Sequence, residues 1–250
     1  MKLSESTIWT PEERAIIEQD TMLTRDLLEE QYANLEQQHE TAALGMWVFL
    51  ATEVMFFGVL FLGLGVYTYM HHEAFEKASE KLNWMIGGIN TVVLLISSLF
   101  MVLAVHSAKV GKQRELQFYL LLTALLGVGF LCLKAFEYYT DWRDNLIPGW
   151  RFNNEEWIDK EHLMPNQVPH VKLFLLFYWT MTGIHAVHVT LGIGAVLVML
   201  ALARRGYFSP VYYSPVDVTG LYWHFVDTVW IFLLPMLYLL GTHTRANVHF

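Results

Sequence analysis

Five apolar stretches, each about twenty residues or longer and separated by short polar segments, leave this 250-residue chain few folds to adopt. Runs of that length match the hydrocarbon thickness of a bilayer when coiled as α-helices. They cover Ala42–Met70, Trp84–Val105, Leu116–Tyr139, Val171–Ala203 and Thr219–Leu240. Within lipid a chain must satisfy its backbone polar groups internally, so these stretches predict an all-α, polytopic membrane bundle of five transmembrane helices. The aromatic content agrees, because nine Trp and twelve Tyr supply the side chains that favour the lipid–water interface. The remaining length is too short for a large soluble domain, and the reading is one membrane domain over residues 41–250 preceded by an arm at 1–40.

Charge orients the bundle. Lys109, Lys112 and Arg114 crowd the connection between the second and third spans, and Arg204 and Arg205 that between the fourth and fifth. The other connections hold Lys77 and Lys81, and Arg143, Arg151 and Lys160 spread over a longer loop. The bias of short-loop Lys and Arg toward the cytoplasm predicts a cytoplasmic N-terminus and an external C-terminus. The formal charge of −8 is concentrated at one end: residues 1–40 carry ten acidic against three basic side chains. No basic face for nucleic acid is present. Pro11 followed by Ile16, Leu23, Leu27 and Leu35 among Glu and Gln predicts a partly helical cytoplasmic arm. That arm lacks the short apolar core of a cleavable signal, so the first span is expected to drive insertion. The outer loop at 140–170, with Trp142, Trp150, Trp157, Pro148, Pro165 and Pro169, predicts an ordered lid.

Polar groups inside the spans carry the functional information. Glu53 lies within the first apolar run, seventeen residues before Met70. An acidic side chain at such depth costs about 2.5–3.5 kcal/mol, so it must face protein and find a partner. His185 and His188, three apart on the fourth span, lie at a comparable depth from the same side and are the candidate partners. On the fifth span His224 and Asp227 are also three apart, and an intrahelical contact would satisfy both. Lys134 and Glu137 near the end of the third span are expected to pair and reach toward the interface.

Metal chemistry has little support. The single cysteine, Cys132, is read as a small core residue, so there is neither a disulfide framework nor a thiolate cluster. The H-x-x-H pair stands without the Glu-x-x-His partners of a di-iron bundle. No catalytic, cofactor-binding or metal-ligating residue is therefore assigned to this chain. A self-contained membrane metalloenzyme and a stand-alone proton carrier are the rival classes; for the carrier, the second span offers only Asn90, Thr91, Ser97 and Ser98.

Four segments, Leu44–Phe57, Phe136–Tyr138, Thr182–Val189 and Gly220–Trp230, closely resemble subunit III of the haem–copper oxidases, of the cytochrome c oxidase type. They occur in the family's order over about 190 residues. The resemblance implies a noncatalytic subunit packed against subunit I, with subunit II in the same complex and haem and copper held by partner chains. It implies participation in aerobic respiration as part of a proton-translocating electron transport chain, with bound phospholipid and membership of a respiratory supercomplex among its possibilities. Glu53 matches the family's intramembrane glutamate, and His185, His188, His224 and Asp227 match its polar positions; the roles open to them are proton handling and structure. This chain resembles the short five-span bacterial form, lacking the first two helices of the long form. Ala186 stands where the family commonly has Gly, and the outer loop is longer and richer in Trp. Quinol oxidases and the accessory subunits of nitric oxide reductases share the resemblance, while the electron-donor sites lie on other chains.

Overall fold

The computed structural model describes residues 32, 35–149, 152, 154–159 and 163–240. The expected helix of the acidic arm, apart from its last six residues, lies outside them, as does Trp150. The described residues are all-helical, without strands. Five long helices carry the apolar stretches: α1 (Leu35–Met70), α3 (Trp84–Val110), α4 (Gln113–Arg143), α6 (Val168–Arg204) and α7 (Ser214–Tyr238). Two short helices, α2 (His72–Glu80) and α5 (Asn154–Asp159), lie in the connections.

The helices overrun the apolar windows because their polar ends are good helix formers with local caps. Asn83 starts α3 by accepting from the backbone N–H groups of Met85 and Ile86, and Pro169 and Pro215 occupy the first turns of α6 and α7. Gly111 closes α3 in a left-handed conformation, φ 78°, with its N–H on the Ala108 carbonyl. A side chain there would be strained and would also strike Pro210, 2.8 Å from the position of its Cβ.

Helices α3, α4, α6 and α7 form the body of the bundle, and α1 lies against α6 and α7 on its flank. Burial follows that order: half of the apolar window of α7 is buried but only 17% of that of α1. In lipid the apolar effect does not drive helices together, so close packing and polar contacts must. Trp223 on α7 shows how. Its ring enters a slot between α4 and α6 at Gly127 and Gly192, where an added Cβ would meet the indole at 2.8 and 3.0 Å.

Two ends of the bundle can be distinguished without assigning a side of the membrane. The distal end gathers the last residues of α1, α4 and α7 and the first of α3 and α6; there the Ser79 hydroxyl of α2 donates to the Leu237 carbonyl. The proximal end gathers the opposite termini, where Gln117 Nε2 donates to the Ala203 carbonyl and Lys109 pairs with Asp217 at 3.1 Å. Among the described residues of the distal loop Trp157 is buried and stacks on Phe152, Trp179 donates to the Leu146 carbonyl, and Trp142 is exposed. Cys132 corrects the sequence reading, for it lies on the exposed face of α4 and not in the core.

Candidate functional site

Glu53 and His188 meet at the seam between α1 and α6. The imidazole Nε2 lies 3.0 Å from a Glu53 carboxyl oxygen. The other ring nitrogen, Nδ1, lies 2.9 Å from the Ile184 carbonyl, which can only accept, so Nδ1 carries a hydrogen. The Nε2–carboxyl contact then holds one further proton, shared as neutral acid and neutral base or as carboxylate and imidazolium. Either way the pair is uncharged overall. The pair therefore places no net charge at this depth, which lowers the cost of burying a carboxyl group there.

Packing fixes the pair. Phe57 sets its edge against the His188 ring at 5.3 Å, and the Tyr222 hydroxyl of α7 donates to the His188 carbonyl at 3.1 Å. Glu53 and His188 retain 20% and 15% of their side-chain exposure, so the proton they share lies near an opening on the flank of α1. Toward the distal end, Val54, Phe57, Phe61, Phe225 and Phe232 line an apolar cleft of about 320 Å³ between α1 and α7.

His185 is buried one turn away and does not join the pair. Neither ring nitrogen finds a hydrogen-bond partner among the described residues; the ring lies 5.1 Å from Trp230 at 30° and meets the edge of Phe130. His224 and Asp227 do not bond one another, contrary to the intrahelical contact expected from their spacing. His224 instead pairs with the Ser98 hydroxyl of α3 at 2.7 Å, a contact that ties two helices. Asp227 is buried, and neither carboxyl oxygen has a hydrogen-bond partner among the described residues, although Ser98 faces it.

The sequence pattern led to the Lys134–Glu137 pair but not to the buried polar cluster around it. Lys134 and Glu137 do pair, at 3.0 Å, but neither reaches the interface: their side chains are 2% and 1% exposed. Asp141 completes one face of α4 at spacings of three and four, and Tyr178 from α6 and Tyr238 from α7 close over them. The Lys134 ammonium donates to Glu137, to the Tyr178 hydroxyl at 3.3 Å and to the Tyr238 hydroxyl at 2.5 Å. The rings of Tyr138, Tyr178, Trp230 and Tyr238 surround it at 4.8–5.4 Å. Three helices thus share one buried knot. The signal was present in the Lys134, Glu137, Asp141 spacing, which places three ionisable groups on one face.

Among the described residues no three His, Cys, Asp or Glu side chains converge as metal ligands. Residues 172–242 match the family model described as cytochrome c oxidase subunit III. The chain is 30% identical to cytochrome c oxidase subunit 3 of Bacillus sp. strain PS3, over 85% of this chain and 91% of that protein. It is 29% identical to quinol oxidase subunit 3 of Bacillus spizizenii strain ATCC 23059, over 84% and 93%. It is 28% identical to the probable quinol oxidase subunit 3 of Staphylococcus haemolyticus strain JCSC1435, over 79% and 88%.

Proposed function

The chain belongs to the subunit III family of the haem–copper oxidases, and on that premise we propose that it is the noncatalytic third subunit of a respiratory terminal oxidase, which it stabilises and whose proton uptake it sustains. Haem and copper sit in partner subunits, and the bundle docks on subunit I with its N-terminus in the cytoplasm. Oxygen reduction and proton translocation then belong to the complex, as does the choice of cytochrome c as electron donor.

The observation that supports a proton-related part is the Glu53–His188 contact, a net-neutral pair holding one proton at the half-open seam of α1 and α6. Under this reading the proximal end faces the cytoplasm. Glu36, His39 and Glu40 line a cavity of about 370 Å³ there. Glu53 lies thirteen residues further along the helix than Glu40, about 20 Å at 1.5 Å per residue. Surface carboxylates at that mouth collect protons, and the pair shares one of them deeper in the seam. Phospholipid covers the exposed flank of α1, where the apolar cleft opens.

A quinol-oxidising complex is the second reading, favoured by the two similar quinol oxidase subunits. Purification of the tagged chain from its native membrane, with a haem spectrum and identification of the accompanying chains, tests the assignment. A haem-bearing large subunit is expected to accompany it in equal amount. Its absence would overturn the proposal, and oxidation of quinol but not cytochrome c by the purified complex would select the second reading.

A further inference from the structure

The knot at Lys134 invites a count of its protons. A lysine ammonium has three hydrogens, and three acceptors take them: Glu137, Tyr178 and Tyr238. Tyr238 passes its own hydrogen to the second oxygen of Glu137 at 2.7 Å. That leaves the single phenol hydrogen of Tyr178, which has two carboxyl oxygens within reach: Asp141 Oδ2 at 2.7 Å and Glu137 Oε1 at 3.1 Å.

With every acid ionised the knot holds one positive and two negative charges, a surplus of one buried negative charge. When Asp141 binds a proton, the surplus vanishes. Its new O–H then points at the Tyr178 oxygen, and the Tyr178 hydrogen turns from Asp141 to Glu137. Each O–H and N–H donor of the knot still has an acceptor. The two states differ by one proton and one hydroxyl rotation, with no change in the heavy-atom contacts described. We propose that the knot is a binding site for a single exchangeable proton, with Asp141 as the acceptor, Tyr178 as the reorienting hydroxyl and the Lys134–Glu137 pair as fixed counter-charge.

Position fits that division. Asp141 is two residues from the end of α4 and is less deeply buried than Lys134 or Glu137. The titratable groups facing it are Lys134 and Glu137 of α4, Asp144 just past its end and Tyr178 of α6, with Tyr138 and Tyr238 around the ammonium. The proton comes from water at the distal end and returns there, so no co-reactant is needed. The site stands on the geometry of this chain and does not depend on which oxidase the chain joins.

Infrared difference spectra of the purified complex in lipid, recorded as the pH is lowered, test it. Subtracting the D141N spectrum from the wild-type spectrum should leave one carboxylic acid C=O band that grows as pH falls. Y178F should keep that band but move it to higher frequency, because the acid loses its hydrogen-bonded phenol. A difference without any such band would overturn the proposal, and so would a band at unchanged frequency in Y178F. If D141N fails to enter the complex, wild type against Y178F decides alone: a shifted carboxylic acid band upholds the site, and identical spectra remove it. A merely structural knot would alter melting in both variants and leave no such band.

Discussion

The same bundle handles ionisable groups in two ways, and the contrast lies in what surrounds them. At the Lys134 knot, charges from α4 are sealed by hydroxyls from α6 and α7 and by four aromatic rings. At the α1–α6 seam, one carboxyl meets one imidazole, and the pair keeps part of its surface open. A sealed, multiply bonded cluster resists separation because each group lost leaves another unpaired. A two-member pair near an opening can exchange its proton while keeping its contact. The knot is therefore expected to hold the bundle together through Lys134 and Glu137 and to exchange a proton only at its rim, through Asp141, whereas the seam exchanges the very proton that makes its contact.

Breaking the knot should have the largest effect. Lys134→Met leaves Glu137 and Asp141 as buried acids without their cation, a change worth about 3–5 kcal/mol. The chain should be depleted from the purified complex, and any remaining should melt early. Adding Glu137→Met should recover much of the loss, because two apolar side chains then replace a charge and its partner. At the seam, Glu53→Ala strands only the Nε2 of His188, at a cost of about 1–3 kcal/mol for one lost partner. Subunit content should hold, with a modest fall in melting temperature. Smallest of all should be His185→Phe. His185 has no hydrogen bond to lose among the described residues, and a phenyl ring can keep the contacts with Trp230 and Phe130. A change under about 1 kcal/mol is expected, since apolar replacement of equal shape is close to neutral. A large loss in His185→Phe would show that the two histidines share one function and would collapse the distinction drawn between them.

The sequence made the spans legible because hydropathy alone identifies them; the structure lengthened them into polar turns that hydropathy ignores, such as Glu36–Thr41 and Thr140–Arg143. Glu53 and His188 could be matched because depth along a helix is a linear quantity, readable from residue counts. Rotation about the helix axis is not. Helix α4 is apolar on most sides, so the spacing of Lys134, Glu137 and Asp141 puts them on one face without telling whether that face points to an interface or into a core. The same ambiguity turned Cys132 outward. His224 and Asp227 failed for a related reason: Ser98 on another helix competes for the histidine, and that partner is visible only once α3 and α7 are packed together.

The proposed part of the Glu53–His188 contact rests on the proton it shares and not only on the hydrogen bond. Glu53→Gln separates the two, because its amide can still donate to Nε2 while the carboxyl that exchanges the proton is gone. The decisive measurement compares wild type, Glu53→Gln and Glu53→Ala in the assembled oxidase for protons moved per electron and for turnovers before inactivation. Gln is expected to behave like Ala, with one or both quantities lowered in both variants. Wild-type values in Glu53→Gln would contradict it and leave the pair a packing contact.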